Sequence, residues 1–273
     1  MTAPALPSTR VSVLMPVFNE RATVEHAVAR VREVPMRMEI ICVDDCSSDG
    51  TRDILTAMKA RGDIDQLILH EQNRGKGASV RDALAAATGD VVVIQDADLE
   101  YDPADILKLI GPVEDGRADA VFGSRFKGDV SRVLYYWHSL GNWGLTTLSN
   151  MLTNLNVSDM ETCYKLVRTD LMKSLPLTSD RFGFEPELTA RLAQSRARIY
   201  EVPISYSGRT YAEGKKIRWT DGVAALWHIV KFNLLSGKAP VYQRTQGQAL
   251  LDSAARSRPR TPAQPSVATS DRA

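Results

Sequence analysis

The chain has 273 residues, of which 44% are hydrophobic and 25% are charged, with a formal net charge of +1. These values are typical of a soluble globular protein that buries a sufficient core without disulfides, and they give no reason to expect a nucleic-acid partner. The cysteines, Cys42, Cys46 and Cys163, lack metal-ligand and disulfide spacing. We therefore expect reduced thiols used for packing in a cytosolic protein.

Both ends of the chain are expected to be disordered. Residues 1–10 lack the apolar stretch of a signal peptide, and residues 239–273 end in a segment of Pro, Ser, Ala and Arg without aromatic residues. Residues 11–238 are predicted to form a single domain. No apolar run reaches the roughly 18 residues that a transmembrane helix needs, so none is predicted.

Strand and helix patterns alternate through the first half of the chain. The predicted strands cover residues 11–17, 38–45, 66–71, 91–95 and 118–126, and amphipathic helical patterns lie between them. Strands separated by helices of this length predict a Rossmann-like α/β fold, in which helices cover both faces of a mostly parallel sheet.

The second half predicts amphipathic helices over residues 131–155, 181–195 and 218–235, and a strand over 198–206. The first of these helices has apolar residues at helical spacing, including Trp137 and Met151, the kind of stripe that faces a core. Its other side carries polar residues. The aromatic cluster at its start could pack in the core, line an acceptor groove or lie at a membrane interface. The last helix could rest against a bilayer surface.

Polar clusters follow four of the predicted strands. They are Asn19-Glu20, Asp44-Asp45, Asp96-Ala97-Asp98 and Gly123-Ser124-Arg125. Ligands of open parallel sheets bind outside the carboxyl ends of the strands. The sequence therefore predicts a binding site along this edge.

The acidic cluster predicts a metal site. Asp96 and Asp98 are two residues apart, so in an extended segment they point the same way, and Glu100 continues the pattern. Clustered carboxylates repel one another unless a cation is present, and Mg²⁺ combines carboxylate ligands with substrate phosphates. Asp45 is suited to accept hydrogen bonds from a base or a ribose.

Basic residues that suit a diphosphate occur beside these strands. Arg125 follows the fifth predicted strand, and the segment GRTYAEGKK supplies Arg209 and Lys215 with Glu213 as its one local acid. A basic loop next to a carboxylate–metal site can stabilise a leaving group.

Seven short motifs occur in an order that resembles family 2 inverting glycosyltransferases of the GT-A fold. They are PVFNE, VDDCSSDGT, NRGKGAS, DADLEYDP, GSRF, SDMETCYKLVR and EVPISYSGRTYAEGKK, within residues 11–235. The chain is most similar to the polyprenyl-phosphate (dolichyl-phosphate) mannose and glucose synthases.

The resemblance implies roles for individual residues. The nucleotide-sugar, GDP- or UDP-linked, would contact Pro16, Phe18, Glu20, Val43, Asp45, Asp96, Ala97 and Asp98. Mg²⁺ or Mn²⁺ would bind at Asp96, Asp98 and Glu100. Catalysis would depend on Asp98 and on Arg125, Arg209 and Lys215, which would hold the diphosphate and the acceptor phosphate.

The acceptor implied by the resemblance is a polyprenyl phosphate, used by a cytoplasmic enzyme in peripheral contact with the inner face of the membrane. Departures from the family pattern are Phe18 in place of Tyr, Glu100 where Gln is frequent, YAEGK in place of YGESK, and the additional Glu161. The alternative is a hydroxyl acceptor in cell-envelope polysaccharide or glycolipid synthesis, for which Asp159 or Glu161 is a candidate general base.

Two other classes of protein fit the sequence less well. A nucleotidyltransferase would carry a Gly-rich basic loop after the first strand, and PVFNERA has none. A catalytically silent binding module would have no use for the acidic pair and the basic loop together.

Overall fold

The computed structural model describes residues 9–127, 132, 135–181, 183–209 and 219–244, apart from the side chains of Trp219 and Thr220. Strands and helices alternate along the chain. The strands are β1 (Arg10–Val17), β2 (Arg37–Asp44), β3 (Gln66–Leu69), β4 (Val91–Ile94), β5 (Ala120–Ser124), β6 (Lys165–Arg168) and β7 (Ile199–Pro203). The helices are α1 (Val24–Glu33), α2 (Thr51–Arg61), α3 (Lys76–Ala86), α4 (Ile106–Glu114), α5 (Tyr136–Thr153), α6 (Thr169–Ser174), α7 (Phe184–Gln194) and α8 (Trp219–Val230).

The strands form a seven-stranded sheet in the order β3-β2-β1-β4-β6-β5-β7. All neighbouring pairs are parallel except those made by β6, which runs antiparallel to β4 and β5. The predicted mostly parallel α/β sheet is confirmed, whereas β6 was not predicted as a strand. The strand order reverses between β1 and β4, and such a switch point opens a crevice at the carboxyl ends of the strands.

Helices cover both faces of the sheet. One apolar core lies between the sheet and α1, α2 and α4. The other lies between the sheet and α3, α6 and α7, with α5 and α8 at its margin. Because both faces are covered, seven of the eight residues of β1 are at least partly buried, and the strand is almost continuously apolar.

Helix α5 buries only part of the predicted apolar stripe and turns much of its polar side to the protein. Trp137 and Met151 are each 75% exposed, while Thr146 and Ser149 are buried. Thr146 Oγ1 accepts a hydrogen bond from the backbone N–H of Met160 at 3.2 Å. The polar side of α5 thus supplies an acceptor for a buried backbone group of the neighbouring loop. The half-buried residues that join the core are Leu145, Leu148 and Leu152. Within the described ranges, no helix has both the length and the hydropathy to cross a bilayer.

The described part of the chain extends beyond the predicted domain at both ends. Arg10 opens β1, and residues 239–244 pack against the domain. Tyr242 donates its backbone N–H to Ser195 O at 2.9 Å, and Arg244 forms an ion pair with the buried Asp119. Residues 1–8 and 245–273, which make up most of the two predicted disordered ends, lie outside the described residues.

Candidate active site

The polar clusters predicted after β1, β2, β4 and β5 lie along one edge of the sheet. β1 and β2 are in register up to Val17 and Asp44, and the backbone N–H of Asp45 continues the ladder to Val17 O at 2.8 Å. On the other side of β1, the backbone N–H of Gln95 donates to Leu14 O at 3.0 Å. The strands therefore bring distant parts of the chain together at the crevice.

Three carboxylates from two of these segments meet around Arg209. Its Nη2 lies 3.0 Å from Asp98 Oδ2, its Nε lies 3.2 Å from Glu100 Oε1, and its Nη1 lies 3.5 Å from Glu20 Oε2. The backbone N–H of Arg209 also donates to Glu100 Oε1 at 3.0 Å. Glu100 is further fixed by the Tyr206 hydroxyl at 2.7 Å. The guanidinium thus joins the loop after β7 to the ends of β1 and β4.

The carboxyl of Asp98 holds its proton more tightly than an ordinary aspartate. Burial and the nearby negative charges of Asp96 and Glu100 raise its pKa to about 7, although Arg209 acts in the opposite direction. One guanidinium therefore does not compensate this group of carboxylates fully. A divalent cation, which prefers oxygen ligands, would supply the missing charge at Asp98 and Glu100.

Asp96 is turned towards a different cation, Lys76. Lys76 Nζ lies 2.9 Å from Asp96 Oδ1, 3.1 Å from Glu185 Oε1 and 2.9 Å from Cys163 Sγ. Burial opposes the charge of Asp96, but Lys76 and hydrogen bonds outweigh it, so the pKa of Asp96 lies below its usual value. The structure thus separates the predicted metal-binding trio, with Asp96 on Lys76 and the other two acids on Arg209.

A close backbone contact puts Lys76 in this position. Gly75 and Gly77 flank it at the start of α3, and a Cβ on either glycine would overlap carbonyl oxygens of residues 179–180. The 178–180 loop is held in turn by Glu187, which accepts from the backbone N–H groups of Thr178 and Ser179. The sequence analysis assigned no role to Lys76, although the lysine between two glycines was a signal that could have identified it. Glu185 lies in a predicted helix and Cys163 in one of the motifs, but nothing in the sequence indicated that either residue contacts Lys76.

The other residues predicted to bind the nucleotide differ in accessibility. Phe18 is 40% exposed beside the crevice, and Pro16 is partly buried. Val43 and Ala97 are buried in the two cores, so only their backbone could touch a ligand. Asp45 is buried, and its carboxylate accepts from His70 Nδ1 at 2.7 Å and from the backbone N–H groups of Arg74 and Gly75.

Arg125 is held by Asp159 at the end of β5. Its Nε and Nη2 lie 2.7 and 2.8 Å from the two carboxylate oxygens, and its guanidinium stacks on the ring of Tyr206 at 5.1 Å. Asp159 is fully buried. Both of its carboxylate oxygens are thus engaged by Arg125, which makes Asp159 the less accessible of the two candidate general bases, Asp159 and Glu161.

Glu161 lies in the same loop and has a different environment. Its Oε1 is buried without a hydrogen-bond partner among the described residues. Burial and the negative charge of Glu185 raise its pKa to about 7, against the opposing effects of Lys165 and Arg125. The buried Lys165 donates to the carbonyls of Met160 and Thr162 at 2.7 and 2.5 Å and so fixes the loop on both sides of Glu161.

Part of the predicted site cannot be compared with the structure. Lys215 and most of the basic loop lie outside the described residues. Among the residues that are described, no three His, Cys, Asp or Glu side chains stand in a geometry that could already hold a metal ion.

The sequence matches the family model for glycosyl transferase family 2 over residues 12–175. This match covers more than half of the chain, which therefore belongs to glycosyl transferase family 2. The protein is a glycosyltransferase, and the resemblance drawn from the seven motifs is confirmed.

Curated relatives of the chain include polyprenyl-phosphate sugar transferases. The chain is 28% identical to the undecaprenyl-phosphate mannosyltransferase of Micrococcus luteus, over 82% of this chain and 99% of that protein. It is 26% identical to the dodecaprenyl-phosphate galacturonate synthase of Rhizobium johnstonii and to the dolichol-phosphate mannosyltransferase of Pyrococcus furiosus, in each case over 76% of this chain. It spans only 62% and 59% of the length of those two relatives.

Solved structures confirm the GT-A fold. Glucosyl-3-phosphoglycerate synthase from Mycobacterium tuberculosis, in complex with Mn²⁺, UDP and glucosyl-3-phosphoglycerate, has a TM-score of 0.64 at 21% identity, over 84% of this chain and 82% of that one. The same enzyme with Mn²⁺ and UDP-glucose has a TM-score of 0.63 at 20% identity, over 84% and 81% of the two chains.

Proposed function

We propose that this glycosyltransferase moves a hexose from a GDP- or UDP-linked donor to a polyprenyl phosphate, with a divalent metal, inversion at the anomeric carbon, and a location at the cytoplasmic face of the membrane. The names of the relatives support the acceptor, and the ligands of the structural neighbours support the nucleotide and the metal. The observation that carries the proposal is the meeting of Glu20, Asp98 and Glu100 around Arg209 at the switch point of the sheet.

The residues at this position fit Mg²⁺ or Mn²⁺. Asp98 and Glu100 offer carboxylate oxygens, and burial together with the neighbouring acids raises the pKa of Asp98, an effect that a bound cation would oppose. When bound, the metal would neutralise part of the charge of the donor diphosphate. Arg209 and Arg125 would then hold the phosphates of donor and acceptor, because guanidinium groups bind phosphate oxygens in bidentate fashion.

A phosphate acceptor needs no general base. The second pKa of a phosphate monoester is about 6, so at neutral pH its oxygen is already largely an anion that can attack the anomeric carbon. This agrees with Asp159, whose two oxygens are bound to Arg125. The alternative, a hydroxyl acceptor, is supported by one observation: Glu161 Oε1 has no hydrogen-bond partner in the part of the chain that the structure describes, and the pKa of this carboxyl is raised to about 7.

Exposed apolar side chains support the membrane location. Helix α5 has no Asp, Glu, Lys or Arg, and its Tyr136, Trp137 and Trp143 are 71%, 75% and 66% exposed. On α8, which contacts α5, Leu226 and Trp227 are about half exposed. Aromatic residues are favoured at bilayer interfaces, where an apolar body meets water. Asn142 of α5 lies 3.4 Å from Arg125, so the helix that carries these aromatic residues adjoins the site.

The test is transfer of a labelled sugar into a lipid. The protein is incubated with Mn²⁺, polyprenyl phosphate and labelled GDP-mannose or UDP-glucose, and the label is partitioned between water and organic solvent. We expect label in the organic phase, in an acid-labile product, and none when EDTA is added or polyprenol replaces its phosphate. Label that stays in water with every nucleotide-sugar tried, or that enters polyprenol equally well, would contradict the proposal.

A further inference from the structure

Arg209 lies among the carboxylates that would hold a cation. Its guanidinium contacts Glu20, Asp98 and Glu100, within 3.0 to 3.5 Å of one oxygen of each. The side chains of all four residues are at most 20% exposed. In the sequence, Glu213 is the one acidic residue of this basic segment. In the structure, Arg209 pairs with three carboxylates from distant parts of the chain.

Arg209 contacts the two carboxylates that would hold a metal. Its Nη2 donates to Asp98 and its Nε donates to Glu100, so a divalent cation at these two residues would compete with the guanidinium for their negative charge. A metal ion and the guanidinium held by the same carboxylates would repel each other, by about 1 kcal/mol at about 4 Å in water and by more in a partly buried site. Metal binding therefore weakens the hold of the carboxylates on the guanidinium.

The backbone around Arg209 allows the side chain to move on its own. The backbone N–H of Arg209 donates to Glu100 Oε1, and the N–H of Ser207 donates to Glu100 O at 2.9 Å. Tyr206 also forms an isolated bridge with Tyr101. These contacts hold the start of the loop against β4 independently of the guanidinium.

We propose that Arg209 is the internal counter-ion of the donor-site carboxylates, and that it changes partners from the carboxylates to the donor diphosphate when metal and nucleotide bind together. This inference rests on the proposed function. A metal alone displaces Arg209 without giving it a new partner, so the metal binds weakly. A nucleoside diphosphate supplies that partner, so metal and nucleotide each strengthen the binding of the other, as linkage requires.

The experiment measures Mn²⁺ binding directly, from the electron paramagnetic resonance signal of the free ion. Wild type, Arg209→Gln and Arg209→Lys are titrated with Mn²⁺ alone, and UDP and GDP binding is then measured at saturating Mn²⁺ by calorimetry. We expect Arg209→Gln to bind Mn²⁺ alone about tenfold more tightly than wild type, because the competing charge is gone. It should bind the preferred nucleotide about tenfold more weakly. Arg209→Lys should resemble wild type towards Mn²⁺.

Arg61→Gln is the matched control, because Arg61 is an exposed arginine paired with Glu25 and Asp63 away from the crevice. It should leave both affinities unchanged. Equal or weaker Mn²⁺ binding by Arg209→Gln would overturn the exchange, as would tighter Mn²⁺ binding with unchanged nucleotide affinity. Sugar transfer by the wild-type protein is scored separately, so the exchange can fail while the proposed function stands.

Discussion

Arg125 and Asp159 form a two-pronged ion pair at the end of β5, with Nε–Oδ2 and Nη2–Oδ1 distances of 2.7 and 2.8 Å. Asp159 has no exposed surface, and the Arg125 side chain is 16% exposed. Two nearly planar groups joined in this way fix the orientation of the guanidinium. The pair therefore positions Arg125 at the edge of the sheet where the donor is proposed to bind.

Replacing Asp159 by Asn should destabilise the protein, because it leaves the largely buried Arg125 without its carboxylate. We expect a loss of about 3 kcal/mol in the free energy of unfolding, as measured by urea denaturation. Asp115→Asn is the control, since its pair with Arg117 is exposed on both sides and should contribute less than about 1 kcal/mol. Equal, small losses in the two variants would show that the buried pair has no special structural role.

Glu161→Gln should change how stability depends on pH. The folded protein raises the pKa of Glu161 from its ordinary value of 4.5 to about 7. Between these values the folded state binds more protons at this site than the unfolded state does, so the free energy of unfolding falls as pH rises through this window. Gln does not titrate, so the variant does not lose this part of its free energy of unfolding as pH rises.

The difference in unfolding free energy between Glu161→Gln and wild type should therefore shift in favour of the variant, by on the order of 1–3 kcal/mol, from pH 4.5 to pH 8. Urea denaturation at several pH values measures it. A difference that is the same at both ends of the range would mean that Glu161 titrates normally.

Asp98→Asn should abolish metal-dependent turnover without unfolding the protein. The side chain is a carboxylate at a strand end, repelled by Asp96 and Glu100, so its loss costs the fold little. We expect the rate of sugar transfer to drop by roughly 10²-fold or more, with an unchanged or higher melting temperature at pH 8. Near wild-type transfer at saturating metal would remove Asp98 from the site.

Membrane binding should depend on the exposed aromatic residues of α5 and α8. The double variant Trp137→Ser, Trp227→Ser is expected to sediment with anionic phospholipid vesicles at least several-fold less than wild type, because both side chains are more than half exposed. Leu69→Ser is the control, since Leu69 is exposed on β3, away from both helices. An equal effect of the control, or none of the double variant, would count against this surface.

The sequence predicted the sheet and the edge that carries the site, because these follow from local patterns. Apolar runs predicted six of the seven strands, polar clusters follow four of these, and the carboxyl ends of parallel strands meet at one edge. β6 escaped because Lys165–Arg168 is short and begins with a lysine. That lysine is buried and binds loop carbonyls, a role that no local pattern indicates.

The pairing within the site could not be predicted in the same way. The spacing predicted that Asp96 and Asp98 act together. In the structure Asp96 pairs with Lys76 and Asp98 pairs with Arg209, and both cations come from distant parts of the chain. The burial of the polar side of α5 has a similar origin. Thr146 accepts a hydrogen bond from the backbone of the loop that carries Asp159. A hydrophobic pattern cannot predict that a buried backbone group needs such a partner.

The central claim, that a lipid phosphate attacks the donor without a general base, is tested most directly by the transfer rate of Glu161→Gln relative to wild type. Both proteins receive saturating Mn²⁺, the preferred nucleotide-sugar and polyprenyl phosphate at pH 7.5, and label in the organic phase is followed over time. The account predicts that the variant keeps its rate within about tenfold of wild type. A general base contributes roughly 10²–10⁴-fold, so a loss of that size in a folded variant would contradict the claim and favour a hydroxyl acceptor.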